Sequence, residues 1–513
     1  MSAPRSVPQD DAAGRASSLV ARVVLALALI VASLGMSPGF GGEFRRSWLG
    51  HNGARYTHVA RNHLRWGWVE GGAPLLLTES EAFGAQATYL HHPPGLGWLM
   101  ANVFRVTGVH EDVARGIAAL ATLLSLVLLA SLVRSVTDVR TGAFAALLAA
   151  LFPMTWVYGT HVEVQGPIVL ALSLGVLLVG RRALAGERSL WPTLLLTLLA
   201  GWVDWYGLYA PVLLGLSVWS RGGATRRRGL LLAGWACLVF ASVAAWLATR
   251  PGAEGFERLL TAVSSRGPGE VLSPREAAGG DSVDWGQRVG SWARQVHALL
   301  PGFPIWLAGL ALWCWRAPRC PRRVVWMLLV LPPVLHAAVF PAGMLEHAYW
   351  VFGLAPALGA GLVMALGAHW RVLMGLAAAL ALAGIFLRPQ AQLTEDVLPA
   401  RVGQALAREL PPGSWVLTNY DTNVLIPGAS GDRFVMMRPE VTFYADTPVR
   451  GGVESAAALR DARQRLPQAS WFLLTPWPRA PDPQLRAALD RASESAPRKL
   501  SSSPEVWLYA LER

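Results

Sequence analysis

Apolar residues fall in runs of about 18 to 22 positions, the length at which an α-helix crosses the hydrocarbon core of a bilayer. About eleven such runs are read, at roughly 19–37, 113–133, 142–158, 165–180, 189–203, 205–219, 229–248, 299–315, 324–342, 349–367 and 371–387. The pair around Asp204 is short and separated only by a Trp-Asp-Trp turn. Beyond residue 390 the pattern changes. Short helix-like and strand-like segments alternate there: Val397–Leu410, Trp415–Asn419, Phe434–Met437, Val441–Tyr444, Ala456–Leu466, Trp471–Thr475, Pro483–Ala492 and Val506–Leu511. The expected fold class is a polytopic α-helical membrane protein with a small C-terminal soluble α/β domain. Its expected parts are a tail at 1–18, a transmembrane domain at 19–389 and the C-terminal domain at 390–513. Two long loops, 38–112 and 250–298, interrupt the spans.

The charges give this layout a direction. Net charge is +12, and Lys499 is the only lysine, so the excess is carried by arginine. One set of short loops holds Arg134 and Arg140; Arg181, Arg182 and Arg188; Arg221 and Arg226 to Arg228; Arg316, Arg319, Arg322 and Arg323; and Arg371. The alternate short connections, 159–164, 204–207 and 343–348, contain no Arg or Lys. The first set therefore reads as cytoplasmic, with the N-terminus, and both long loops and the C-terminal domain as external. With 53% hydrophobic residues and 15% charged ones, topology accounts for the basic balance and no nucleic-acid partner is implied. Cys237, Cys314 and Cys320 have no metal-ligand spacing and imply no disulfide framework. The run Leu19–Met36 lacks a clear cleavage site after it and reads as a retained span.

Against that background the first long loop is unusual. LGHNGARYTHVARNHLRWGWVEGG and YLHHPPGLGWLMANVFRVTG crowd His, Arg and Asn between two apolar spans. Asn52 can cap a helix with Tyr56, Val59, Ala60, His63 and Leu64 on one face and Arg55, His58, Asn62 and Arg65 on another, which suits a membrane surface. His91-His92-Pro93-Pro94 stiffens the chain before a short apolar helix, Leu96–Val106. Acids and histidines also gather at the external helix ends: Glu111, Asp112, His161, Glu163, Asp204, Glu346 and His347. Helix capping and interfacial water explain single residues of this set; a polar site beneath the first loop explains the set. His336, inside a span, reads as a satisfied core histidine. The C-terminal domain shows no phosphate loop, metal spacing or nucleophile motif and reads as a packing or docking module.

The layout resembles the GT-C class of membrane glycosyltransferases. More narrowly, NGARYTHVARNHLRWG followed by YLHHPPGLGWLMANVFRVTGVHEDVARGIAAL resembles a bacterial branch of the protein mannosyltransferase and aminoarabinose transferase-like family. PMTWVYGTHVE, GWVDWYGLY and EHAYWVFGLAP are further echoes in the expected order, and together they cover roughly residues 45–365. The resemblance implies transfer of a sugar from a polyprenyl-phosphate carrier to an acceptor glycan, lipid or protein at the outer face of a bacterial inner membrane. Membrane lipids are the other partners. No cofactor is required, and a divalent cation is compatible with the chemistry.

That chemistry asks for particular residue types. The leaving group is a phosphate, which needs cations and hydrogen-bond donors. Arg55, Arg61, Arg65, His91 and His92 are the candidates. Asn52, His161, Glu346 and His347 are candidates for the acceptor or sugar. The acceptor hydroxyl must lose a proton, so a carboxylate base is wanted. The family's first-loop aspartate falls at Gly50 or within a residue of it, and no Asp or Glu occurs between Glu43 and Glu70. Three readings follow: Glu163 or Asp204 acts as base, His51 substitutes, or catalysis has been lost. A silent relative that binds a lipid-linked sugar or an envelope partner is the rival reading. A transporter is a more distant one, because repeated halves with broken mid-membrane helices are not apparent.

Overall fold

The structure is a computed structural model that describes residues 10–44, 48–66, 75–76, 88–89, 92–249, 285–316, 320–341, 344, 348–366, 369, 372, 374–380, 382–383, 386, 398–411, 414–419, 425–427, 433–435, 439–445, 449–450, 453–475, 481–502 and 505–512. The chain divides into two compact units. One consists of residues 1–41, 115–245 and 259–394; the other joins the first loop, 42–114, to residues 246–258 and the C-terminal segment 395–513.

The first unit is helical. Among the described residues six helical segments are long and apolar enough to cross a membrane: Ser17–Gly39, Glu111–Arg134, Pro167–Leu184, Gly223–Ala248, Pro321–Val339 and Tyr349–Leu366. A seventh is counted if Trp292–Leu299 and Phe303–Arg316, bent by 73°, form one span. Val139–Leu151 and Trp191–Val203 are shorter apolar helices. We number the helices α1 (Asp10–Met36), α2 (Trp48–Trp66), α3 (Gly95–Thr107), α4 (Glu111–Arg134), α5 (Val139–Leu151), α6 (Pro153–Tyr158), α7 (Pro167–Leu184), α8 (Trp191–Val203), α9 (Tyr209–Ser217) and α10 (Gly223–Ala248).

The run expected as one helix over 142–158 is broken at Phe152. Proline 153 forces the residue before it into an extended conformation (φ −64°, ψ 130°) and removes the N–H that would bond the Ala149 carbonyl. The Thr155 hydroxyl donates to that carbonyl at 2.7 Å, and the Trp156 indole donates to Ala150 O at 2.7 Å. Side chains thus satisfy the carbonyls that the break frees. Trp156 also lies against Gly35 of α1, where a Cβ would stand 2.2 Å from its ring. Gly159 meets Met36 and the Thr155 carbonyl equally closely, and its own carbonyl accepts the Thr122 hydroxyl at 2.8 Å. The connection 159–166 is therefore anchored to α1 and α4.

In the second unit the C-terminal segment forms a five-stranded mixed sheet. Its strands are β1 (Val416–Thr418), β2 (Val449–Arg450), β3 (Trp471–Leu474), β4 (Arg498–Ser502) and β5 (Glu505–Ala510), in spatial order β2-β1-β3-β5-β4. β1 pairs parallel with β2 and β3, and β5 pairs antiparallel with β3 and β4. Alternation along the strands builds two cores. Val416, Leu473, Val506 and Leu508 pack with Val402 and Leu406 of the helix Leu398–Glu409, while Leu417, Phe472, Leu474 and Tyr509 pack with Leu459, Leu485 and Leu489. Asn419 locks the ends of β1 and β3, donating to Thr475 O at 2.6 Å and accepting from Thr475 N at 2.7 Å.

Val441–Tyr444 lies inside a short helix, Pro439–Ala445. Gly403 lets this helix approach Leu398–Glu409, since a Cβ there would stand 2.5 Å from the Val441 carbonyl. The short helix meets the first loop. Phe443 packs edge-to-face on Phe44 with ring centroids 5.5 Å apart, and Phe44, Ala54 and Phe443 form one buried cluster.

Candidate active site

Helix α2 carries the first-loop residues. It begins at Trp48, so Asn52 sits within the helix and does not cap it. Asn52, His58, Asn62 and His63 are buried. The helix thus hides polar groups on both of the faces expected to divide between lipid and headgroups. One reason is α3, which packs against it at Gly97. A Cβ there would stand 2.9 Å from Val59 and 3.3 Å from the His63 ring. Burial pushes His63 down to about 4, so it is neutral at neutral pH.

The cations of α2 are paired along the helix. Arg55 and His51 share a hydrogen bond of 2.8 Å at Nε2, a spacing of four residues. With the guanidinium donating, His51 is the acceptor, and the lone pair a general base would use is engaged. Arg61 contacts His58 Nδ1 at 2.9 Å and donates to the Phe443 carbonyl at 2.9 Å, with its guanidinium 5.1 Å from the centre of the Phe443 ring. The C-terminal helix Pro439–Ala445 therefore holds Arg61. Arg65 is exposed and His92 is buried. His91, Glu346 and His347 lie outside the described residues. Tyr444, which sequence reasoning left unassigned, closes this loop. Its hydroxyl donates to Glu111 Oε1 at 2.6 Å and accepts from Phe44 N at 2.8 Å.

The helical unit holds the carboxylates. Glu163 and Asp204 are both buried. Glu163 Oε1 accepts from Val164 N at 2.8 Å. Asp204 ends α8 and starts the turn Trp205–Leu208, where its Oδ1 accepts from Tyr206 N at 2.8 Å. His161 stacks edge-on to Tyr349 at 4.7 Å and lies 5.7 Å from Tyr158. Neither of its ring nitrogens has a hydrogen-bond partner among the described residues, nor has the Gln165 side-chain oxygen. Burial lowers His161 to about 3. His336 is buried within 6 Å, centroid to centroid, of four rings: Tyr206 (5.5 Å), Tyr209 (5.9 Å), Phe340 (5.0 Å) and Trp350 (4.9 Å). Tyr349 and Trp350 are adjacent, so the turn Ala348–Val351 links the two imidazoles. The EHAYW segment signalled aromatic residues at an interface; their pairing with His161 and His336 had no local signal. Among the described residues no group of three or more His, Cys, Asp or Glu side chains is placed to hold a metal ion.

Residues 91–246, from the His-His-Pro-Pro step into α10, match the family model described as dolichyl-phosphate-mannose-protein mannosyltransferase. No curated protein matches the chain. Among solved structures, ArnT from Cupriavidus metallidurans in the apo state shares 16% identity at a TM-score of 0.59, covering 95% of this chain and 97% of ArnT. The same protein bound to undecaprenyl phosphate gives 17% identity and a TM-score of 0.58, at the same coverage. The archaeal oligosaccharyltransferase AglB from Archaeoglobus fulgidus, in complex with an inhibitory peptide and a dolichol-phosphate, shares 13% identity at a TM-score of 0.54. That likeness covers 88% of this chain and 69% of AglB. At these identities the structural likenesses establish the fold.

Proposed function

From a GT-C-type membrane protein with the ArnT fold and the mannosyltransferase match over residues 91–246, we propose a glycosyltransferase that takes its sugar from a polyprenyl-phosphate donor. The observation that carries this reading is the family match, which spans both candidate carboxylates and His161. The undecaprenyl phosphate bound by ArnT supports the donor class. In this reading the chain crosses the bacterial inner membrane about eleven times, with the first loop and C-terminal domain outside.

Glu163 is the proposed general base for the acceptor hydroxyl, and Asp204 is the second candidate. His161 suits a sugar rather than a phosphate. It is neutral, so one nitrogen donates and the other accepts, which matches hydroxyl groups that do both. Arg55, Arg65, His91 and His92 are the proposed phosphate contacts, with Glu346, His347 and Asn52 on the acceptor or sugar. Arg61, held by Phe443, positions α2.

Purified protein assayed with a defined polyprenyl-phosphate sugar tests the assignment. Glu163→Gln, Asp204→Asn and His161→Ala are expected to lower turnover, the base variant by about 100-fold or more. Undiminished transfer in all three removes the site. A second reading, a silent relative that binds lipid-linked sugar, is favoured by the absence of any carboxylate between Glu43 and Glu70. An inactive native protein that gains transfer through Gly50→Asp supports it.

A further inference from the structure

The helical unit gathers positive charge at one end. Three connecting turns meet there: α4 to α5, α7 to α8, and α9 to α10. Across 134–140, 181–188 and 221–228 they carry nine arginines against two carboxylates, Asp138 and Glu187. Asp138 is already committed. Its Oδ1 accepts from Arg140 N and Thr141 N, and its Oδ2 accepts from the Thr141 hydroxyl, capping α5.

The guanidinium groups converge rather than disperse. Arg181 reaches from α7 to the Ser135 hydroxyl, and both Arg182 and Arg221 act on it as like charges, opposed by Glu187. Arg228 of α10 donates to Ala183 O at 3.3 Å and lies over Gly186, where a Cβ would stand 2.7 Å from Nη1. Arg226 stacks 4.7 Å above Trp219. None of Arg134, Arg140, Arg181, Arg182, Arg221, Arg226, Arg227 and Arg228 has a carboxylate within 4.0 Å among the described residues. Beside them Trp191, Trp219, Leu216 and Leu231 are each at least half exposed. A tryptophan and leucine fringe around unpaired guanidinium groups is the composition of a headgroup-level surface. The rule that sets topology explains the sign of these residues. It does not explain why like charges from separate turns are held together with so few carboxylates, none of them in ion-pair contact among the described residues.

We propose that this end of the helical unit is a binding site for the phosphate headgroup of an anionic membrane phospholipid, bridging Arg181, Arg221 and the Arg226–Arg228 run. The headgroup supplies the missing negative charge, and its acyl chains lie along the exposed apolar residues of α8 and α10. The site is independent of the transferase reading, because its readout is lipid retention and not turnover.

The test uses full-length protein in detergent, incubated with equimolar phosphatidylglycerol and phosphatidylcholine and examined by native mass spectrometry. Phosphatidylglycerol adducts are expected to dominate. Arg221→Gln/Arg226→Gln/Arg227→Gln, three exposed positions, is expected to reduce that preference by about fivefold per arginine that contacts the headgroup. Arg401→Gln/Arg408→Gln/Arg460→Gln removes the same charge from the C-terminal segment and is expected to leave it intact. Equal retention of both lipids, or equal loss in both triple variants, overturns the proposal. So does displacement of the lipid by millimolar inorganic phosphate, which marks a site for free anion.

Discussion

At the scale of single residues, Tyr444 and His63 show how burial turns polar groups into constraints. The Tyr444 hydroxyl is both a donor, to Glu111, and an acceptor, from Phe44 N. Removing it strands a backbone N–H and a carboxylate contact while leaving the ring in place. Tyr444→Phe is expected to destabilise the second unit by about 1–3 kcal/mol, read as a lower thermal unfolding midpoint; an unchanged midpoint refutes the clamp. His63 makes a pH prediction. Its pKa in the folded protein, about 4, lies below the usual 6.5, so the unfolded chain takes up the proton first. Stability is fully present above about 6.5 and is lost as pH falls through the window down to about 4. His63→Leu removes that titration, so its midpoint is expected to fall less steeply than the native one between pH 6.5 and 4. Parallel acid slopes contradict a neutral buried His63. The Tyr444 contact was not legible in the sequence. Phe44 and Tyr444 lie 400 positions apart, and no local periodicity encodes a bond between them.

Among the elements, what the sequence disclosed depended on whether the signal was local. Run length predicts about eleven spans. Among the described residues six helices, or seven with the bent pair, are long and apolar enough to cross a membrane, and each overlaps an expected run. The helix Trp285–Leu299 instead forms almost wholly within the expected loop 250–298. The interruption at Phe152 also had its cause in the sequence, in Pro153, yet the run's uniform hydropathy masked it. Helix α2 was less legible because its two faces suited a helix lying on a membrane surface. In the structure they are buried by α3 and by Phe443, partners whose contact depends on the tertiary fold. Glycines make this testable. Gly97 separates α3 from α2 by less than a Cβ allows, whereas a Cβ on Gly116 of α4 would meet nothing within 4 Å. Gly97→Val is therefore expected to cost about 1–3 kcal/mol. Gly116→Ala is expected to be neutral or stabilising by up to about 1 kcal/mol, since alanine favours the helix. Similar thermal midpoints for the two variants contradict the close packing of α2 on α3.

For the whole molecule, the separation of arginines from acids and histidines is the feature on which the site, the lipid proposal and the orientation all draw. In the proposed orientation its physical basis is the cost of moving guanidinium groups across a bilayer, which would leave them in short loops on the side of synthesis. The first loop and the C-terminal segment belong to one compact unit, so both are expected on one side of the membrane, which the proposed orientation makes the outer one. Cysteine labelling separates these sides. With Cys237, Cys314 and Cys320 replaced by serine, single cysteines at His110 and Asp461, both exposed, are expected to react with a membrane-impermeant maleimide in intact cells. Glu187→Cys, in the exposed turn between α7 and α8, is expected to react only after permeabilisation. Labelling of Glu187→Cys in intact cells reverses the orientation, and with it moves the proposed base and the acceptor to the other side of the membrane. Labelling of only one of the His110 and Asp461 positions would instead divide the second unit across the bilayer, which the Phe44–Tyr444 bond forbids.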